Sequence, residues 1–293
     1  MIEKRKATVI LGGGSALGLA HIGVLSELER EFEICGIIGT SMGAIVGGLY
    51  ARGLDCEAIL EIAGRISNAK VLSPLSIDLR IGGLFDGIAA YKLFREWTND
   101  ALIEEGRMPY VACAYDLASR STVLFDKGFY ADAMRASSSV PYIFTPYMFK
   151  QYQLVDGGVE HPLPLGFANM IKSDVTIAVN VLPMVQQNAQ RVDLSDTSTR
   201  RVKRLLRTEV VIQSVFQNQA YLALRDTISY EPDIVIDAAM PHANPFAFHK
   251  YKEFYRWGKK IARQTLSEYR EPNFIDIIRK HYRNLIHKSS PLI

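Results

Sequence analysis

Short apolar runs rich in β-branched residues recur along the chain, and segments with apolar residues every three or four positions separate them. The runs are ATVIL at 7–11, ICGII at 34–38, YVACAY at 110–115, DVTIAVNV at 174–181 and DIVID at 233–237. Strands this continuously apolar belong to a parallel sheet covered on both faces, and their alternation with helical segments predicts an α/β fold. Two further runs, STVLF at 121–125 and QYQLV at 151–155, alternate more strictly and are closely connected. They predict antiparallel additions to the sheet.

The helical segments carry their own signals. Leu17, Ala20, Val24, Leu25, Leu28 and Phe32 fall on one face of a helix after the first strand. A second helix, after Ser41, contains Gly43, Gly47 and Gly48. Each glycine costs roughly 1 kcal/mol of helix propensity, so that helix is expected to pack closely on a neighbour. Residues 273–288 form an amphipathic pattern that predicts a final helix packed on the sheet, with a helix lying in a membrane interface as the alternative. The polar stretch 186–200 predicts a loop. Segment 71–90 mixes Leu, Ile and Phe with Gly and Pro, and is read either as a movable apolar cap or as ordinary core.

Composition narrows the class. With 48% hydrophobic and 22% charged residues over 293 positions, the chain can bury a full core, and wholesale disorder is excluded. Cys35, Cys56 and Cys113 form no CxxC pair, which excludes the common zinc and redox motifs and predicts reduced thiols. The first 25 residues imitate a secretory signal, but three consecutive glycines and His21 break the apolar stretch. No run approaches the ~18 apolar residues of a membrane span. The expectation is a cytoplasmic protein, soluble or peripheral at the inner membrane surface.

Charge is unevenly placed: residues 247–293 carry +7 and the remainder −4. A basic end suits an anionic membrane surface or nucleic acid. The basic residues alternate with apolar ones at helix spacing and no nucleic-acid motif accompanies them, so no nucleic-acid partner is expected. A homodimer through the basic C-terminal helices is the other arrangement this pattern allows.

Three blocks carry chemistry. Gly39-Thr40-Ser41-Met42-Gly43 follows a buried strand and opens a helix, the context in which a serine on a sharp turn exposes its Oγ. Gly12-Gly13-Gly14-Ser15-Ala16-Leu17-Gly18 also joins a strand to a helix, and its amides suit either an oxyanion or a dinucleotide pyrophosphate. A dinucleotide site wants an acidic residue at the end of the second strand; here that strand ends in Gly-Thr-Ser. Asp156-Gly157-Gly158 follows a strand and is either a ligand-facing carboxylate or a structural Asp-Gly turn. His21 and His161 are read as structural.

In this order the three blocks resemble the patatin-like phospholipases. The likeness extends through Ala20-His21-Ile22-Gly23-Val24-Leu25, Gly83-Leu84-Phe85-Asp86-Gly87 and Arg135-Ala136-Ser137-Ser138-Ser139-Val140-Pro141, over about residues 7–170 of a single domain spanning 1–293. The resemblance implies a three-layer α/β/α sandwich with a mostly parallel central sheet. It implies a lipid acyl ester as substrate, Ser41 as nucleophile and Asp156 as its base. It also implies an oxyanion hole from the N–H groups of Gly13, Gly14 and Ser15, support from Gly39, Gly43, Gly157 and Gly158, and no metal or cofactor. Two positions depart from the family pattern: Ser15 stands where glycine is usual, and Leu17 where Arg or Lys is usual. A catalytically silent binding protein on the same scaffold is the competing reading.

Overall fold

The computed structural model describes residues 4–68, 83–85, 87–183 and 207–270. The expected loop at 186–200, the expected helix at 273–288 and most of the candidate cap at 71–90 lie outside the described residues. Of the cap segment, the structure describes β3 (Gly83–Phe85), Gly87 and the start of α4 (Ile88–Thr98).

Each expected strand forms. β1 (Lys6–Leu11), β2 (Glu33–Thr40), β4 (Tyr110–Asp116), β9 (Val175–Asn180) and β10 (Ile234–Asp237) pair in parallel. β5 (Ser121–Phe125), β7 (Tyr147–Phe149) and β8 (Tyr152–Asp156) add antiparallel pairings. The sheet runs β10-β9-β1-β2-β4-β8-β7, with β5 on β4, and β3 pairs separately with β6 (Tyr142–Phe144).

The period-2 alternation of side chains divides the apolar strands between two cores. Val9, Leu11, Ile37, Ala112 and Ile177 face a core that includes residues of α1 (Ala20–Glu31), α2 (Met42–Arg52), α5 (Tyr130–Ser137) and α7 (Tyr251–Arg270). Ile10, Ile38, Val111 and Ala178 face a second core that includes Ala220 and Ala223 of α6 (Arg207–Tyr230). The result is the three-layer α/β/α sandwich. Helix α3 (Cys56–Asn68) contributes Ile59 and Ala63 to the first core.

Helices α1 and α7 cross with backbones in contact. A Cβ on Gly23 would lie 2.0 Å from the Tyr255 carbonyl oxygen, and one on Gly258 would lie 2.1 Å from that of Ala20. Beside the crossing, buried Glu27 accepts two hydrogen bonds from Arg263, at 2.9 and 3.0 Å, and faces Lys259 at 3.4 Å. Burial opposes ionisation of Glu27, yet the Arg263 and Lys259 hydrogen bonds outweigh it and hold its carboxyl below the usual range.

The sheet register positions the site. Thr40, the last residue of β2, pairs with Cys113 of β4, and Asp156, the last of β8, pairs with the next residue, Ala114. Because β5 occupies one edge of β4 across Ala112–Asp116, β2 and β8 share the other edge and meet end to end. Ser41 and Asp156 therefore emerge at adjacent rungs from strands that run toward each other.

Candidate active site

Ser41 sits between β2 and α2 at φ 57°, ψ −122°. A non-glycine residue in such a sparsely populated region costs on the order of 1–3 kcal/mol and must be held by its surroundings. The holding groups are visible. The Ser41 N–H donates to Ser137 Oγ at 2.9 Å, and Ser137 Oγ donates to the Cys113 carbonyl at 2.6 Å. Close packing of α2 does the rest: a Cβ on Gly43 would lie 2.2 Å from the Leu11 carbonyl oxygen, and one on Gly39 would lie 2.6 Å from the Gly43 backbone. The glycines at 47 and 48 likewise admit Ile37 and Met134 to within 2.6 and 2.5 Å of the position a Cβ would take, as the sequence predicted.

The glycine loop lies directly beside this turn, and a Cβ on Gly13 would be 3.3 Å from Ser41 Cβ. Four hydrogen bonds from separate parts of the chain fix it. The Gly12 N–H donates to Val179 O at 3.1 Å, Gly13 N–H to Pro162 O at 2.8 Å and Ala16 N–H to Pro245 O at 2.9 Å. His21 Nε2 lies 2.7 Å from Gly12 O; a carbonyl only accepts, so Nε2 carries the proton. Burial pushes the His21 pKa down to about 4, partly offset by that hydrogen bond, and the ring is neutral at pH 7.

One expectation needs correction. Gly13 does not belong to the free donor set, because its N–H is committed to Pro162 O. Among the described residues the N–H groups of Gly14 and Ser15 have no acceptor and remain available. Ser15 stands in for the usual glycine by adopting φ 52°, in the left-handed region. Leu17, in place of the usual basic residue, is buried in the first core, and hydrogen bonds to backbone carbonyls secure the loop instead.

Asp156 is fully buried at the end of β8. Its N–H donates to Ser139 O at 2.9 Å, and its Oδ1 accepts the Gly158 N–H at 2.7 Å. Burial raises its pKa to about 6, against hydrogen bonding from the Ser41 side chain and the Gly158 N–H, which lowers it. Among the described residues Oδ2 has no hydrogen-bond partner.

Neither histidine completes a triad. His21 faces Gly12, and His161 Nδ1 lies 3.5 Å from Asp226 Oδ2 with its ring edge-on to Phe167. The His161 carbonyl accepts from Thr40 Oγ1 at 2.8 Å, which ties the segment after Asp156 to the residue before Ser41. Among the described residues no group of three His, Cys, Asp or Glu side chains is placed to hold a metal ion. No helix there is long and apolar enough to cross a membrane. Cys35, Cys56 and Cys113 are unpaired, the last two buried.

Surface depressions of about 340, 450 and 380 Å³ occur beside Lys92, Tyr50 and Ile103, and none is lined by Ser41 or Asp156. The site is therefore defined by its converging groups. Ser137 and Pro162 belong to it although the sequence assigned them no role. Ser137 lay in a recognised block, but nothing in the block shows which backbone group its hydroxyl meets.

A strained serine at a strand-to-helix turn, a buried aspartate one rung away and a glycine loop with two free N–H groups thus stand together on an α/β/α sandwich. The chain belongs to the patatin-like phospholipase family, whose model matches residues 9–169. It is 34% identical over 177 residues to an uncharacterized NTE family protein of Mycobacterium tuberculosis, covering 60% of this chain and 49% of that relative. It is 30% identical over 198 residues to lysophospholipase NTE1 of Candida albicans, covering 63% of this chain and 14% of that protein. The chain thus spans about half the length of the first relative and far less of the second. Among solved structures, VipD from Legionella pneumophila aligns over 90% of this chain and 67% of its own, with a TM-score of 0.42 and 11% identity.

Proposed function

We propose that the chain hydrolyses acyl esters of lipids, with Ser41 as nucleophile and Asp156 as general base. The observation that carries this reading is the placing of Ser41, held at positive φ, one rung from a buried carboxyl whose Oδ2 has no hydrogen-bond partner among the described residues. Ionised Asp156 accepts the Ser41 proton as Oγ attacks the ester carbonyl carbon. The carbonyl electrons move to oxygen, and the N–H groups of Gly14 and Ser15 meet that charge. Collapse expels the alcohol, which takes the proton from Asp156, and leaves an acyl-serine. Water then gives a proton to Asp156 as it attacks the acyl carbon; the Oγ–acyl bond breaks, Ser41 Oγ takes that proton back from Asp156, and the fatty acid leaves. These steps require neither a metal ion nor a cofactor.

The family name and the lysophospholipase relative support a phospholipid or lysophospholipid as substrate. The basic composition of residues 247–293 supports its presentation at an anionic membrane surface.

Hydrolysis of a panel of phospholipids, lysophospholipids and neutral esters tests the reading. Ser41→Ala and Asp156→Asn are each expected to lower kcat by orders of magnitude, with the double variant little worse than either, since the pair acts as a unit. A fluorophosphonate probe should label wild type and not Ser41→Ala. Absence of both turnover and labelling would instead support the silent binding protein.

A further inference from the structure

Helix α6 begins beyond residue 169, where the family match ends, yet one of its faces runs along the segment that follows Asp156. Gln219, Asp226 and Tyr230 are spaced by seven and four residues, which places them on one side of a helix. Each meets a successive point of that segment. A Cβ on Gly158 would lie 2.4 Å from Gln219 Nε2, Asp226 Oδ2 faces His161 Nδ1 at 3.5 Å, and a Cβ on Gly166 would lie 2.8 Å from Tyr230 Oη. Gln219 and Asp226 are both buried.

Contact at Gly158 bears directly on the carboxylate. The position a Gly158 Cβ would take is 2.4 Å from Gln219 Nε2 and 2.9 Å from Asp156 Oδ1. The Gln219 amide therefore stands within about 5 Å of that oxygen, a range over which a charge is felt. Gly158 also gives Asp156 Oδ1 its hydrogen bond, so what fixes Gly158 fixes the carboxyl. No charged side chain contributes to the raised pKa of Asp156. The titratable groups this face brings to the segment after Asp156 are Asp226, bonded to Arg225, and His161 opposite it.

We propose that α6 seats the catalytic carboxylate: Gln219, packed on Gly158 and backed by Asp226 on His161, holds the turn so that Asp156 Oδ1 stays on the Gly158 N–H and Oδ2 faces Ser41. Gln219 is a positioning residue, acting through Gly158. This deepens the hydrolase reading and rests on it. It also assigns a role to a region that the family match does not reach.

The test uses the full chain with Gln219→Ala, Gln219→Glu, Gly158→Ala and the double variant Gly158→Ala/Gln219→Ala. Gln219→Ala is expected to lower kcat about ten- to a hundredfold with KM little changed, as small misplacements of reacting groups do. Gly158→Ala should be worse, because its methyl meets the Gln219 amide. The double variant should regain about tenfold over Gly158→Ala, since the vacated space accepts part of that methyl. Gln219→Glu keeps the shape but sets a second carboxyl near Asp156, so the acid limb of kcat/KM should move to higher pH. A double variant no better than Gly158→Ala, together with an unmoved acid limb in Gln219→Glu, would overturn the proposal.

An activity-independent reading separates its failure from that of the hydrolase reading. The difference in thermal stability that Asp156→Asn produces, followed across pH, reports the titration of Asp156 whether or not any ester is cleaved. Measured in the Gln219→Glu background, that titration should lie at higher pH than in the wild-type background. An unshifted titration refutes the α6 seat even in a protein that proves inactive.

Discussion

The Ser137 hydroxyl accepts a hydrogen bond from the Ser41 N–H at 2.9 Å and donates one to the Cys113 carbonyl at 2.6 Å. The backbone of Ser41 is thus tied to β4 through one buried side chain from the end of α5. Ser137→Ala leaves the Ser41 N–H and the Cys113 carbonyl without these partners, at a cost of about 1–3 kcal/mol for each buried group left unpaired. The expected result is a lower urea midpoint and a kcat reduced about ten- to a hundredfold, because relaxation of the strained turn misplaces Oγ. Unchanged turnover would show that the glycine packing alone holds the turn.

Asp156 links activity and stability with opposite signs. Burial raises its pKa to about 6, so the base is ionised only above that pH and kcat/KM should rise through an acid limb near 6. A carboxyl whose folded pKa lies above its unfolded value favours folding below the unfolded value, and that contribution is lost as pH rises through about 6. Asp156→Asn should therefore be inactive yet more stable than wild type at pH 8, by up to roughly 3 kcal/mol at 1.36 kcal/mol per unit. The two should converge near pH 4, which thermal melts at the two pH values would check.

His21 has the converse linkage. Its folded pKa of about 4 lies below the ordinary 6.5, so its contribution to stability is complete above 6.5 and is lost as pH falls from there to 4. His21→Leu removes the Nε2 donor to Gly12 O and should cost about 1–3 kcal/mol, together with part of kcat, since the glycine loop loses one of its four fastenings. His21→Gln keeps an amide donor and should recover part of both. Equal losses in the two variants, measured by urea titration and turnover, would assign His21 to packing alone.

Glu27 fastens α7 over α1. Glu27→Ala strands Arg263 and Lys259 beside a close helix crossing and should lower stability by about 1–3 kcal/mol, less than a fully buried pair because Arg263 is largely exposed. Its carboxyl is held below the usual range, so the difference from wild type should shrink as pH falls below 4.5. Ester hydrolysis measured well below the melting temperature should be little changed, because Glu27 meets Arg263, Lys259 and Arg30 rather than Ser41 or Asp156.

Much of the fold was legible before any coordinates. The five apolar runs and both alternating runs formed strands where expected, because side-chain period and burial are local properties. The clustering of Gly43, Gly47 and Gly48 likewise foretold a tightly packed helix. A helical segment between the last two apolar runs was expected and α6 forms there, but the burial of Gln219 was not legible: Gln213, Gln217, Asn218 and Gln219 read as a polar face, and what buries Gln219 is a turn some sixty residues earlier. The error at Gly13 has a related cause, since no local pattern reveals that the acceptor of its N–H is Pro162, far along the chain.

The sequence by itself determined the layered α/β class, the strained serine turn and the order of the three chemical blocks, since each depends on residues within a few positions of one another. Only the tertiary structure decided that Ser41 and Asp156 are neighbours. They lie 115 positions apart and meet because β2 and the antiparallel β8 end on adjacent rungs of one edge of β4. Strand register and the burial that raises the Asp156 pKa are collective outcomes of packing, and no short stretch of residues encodes them.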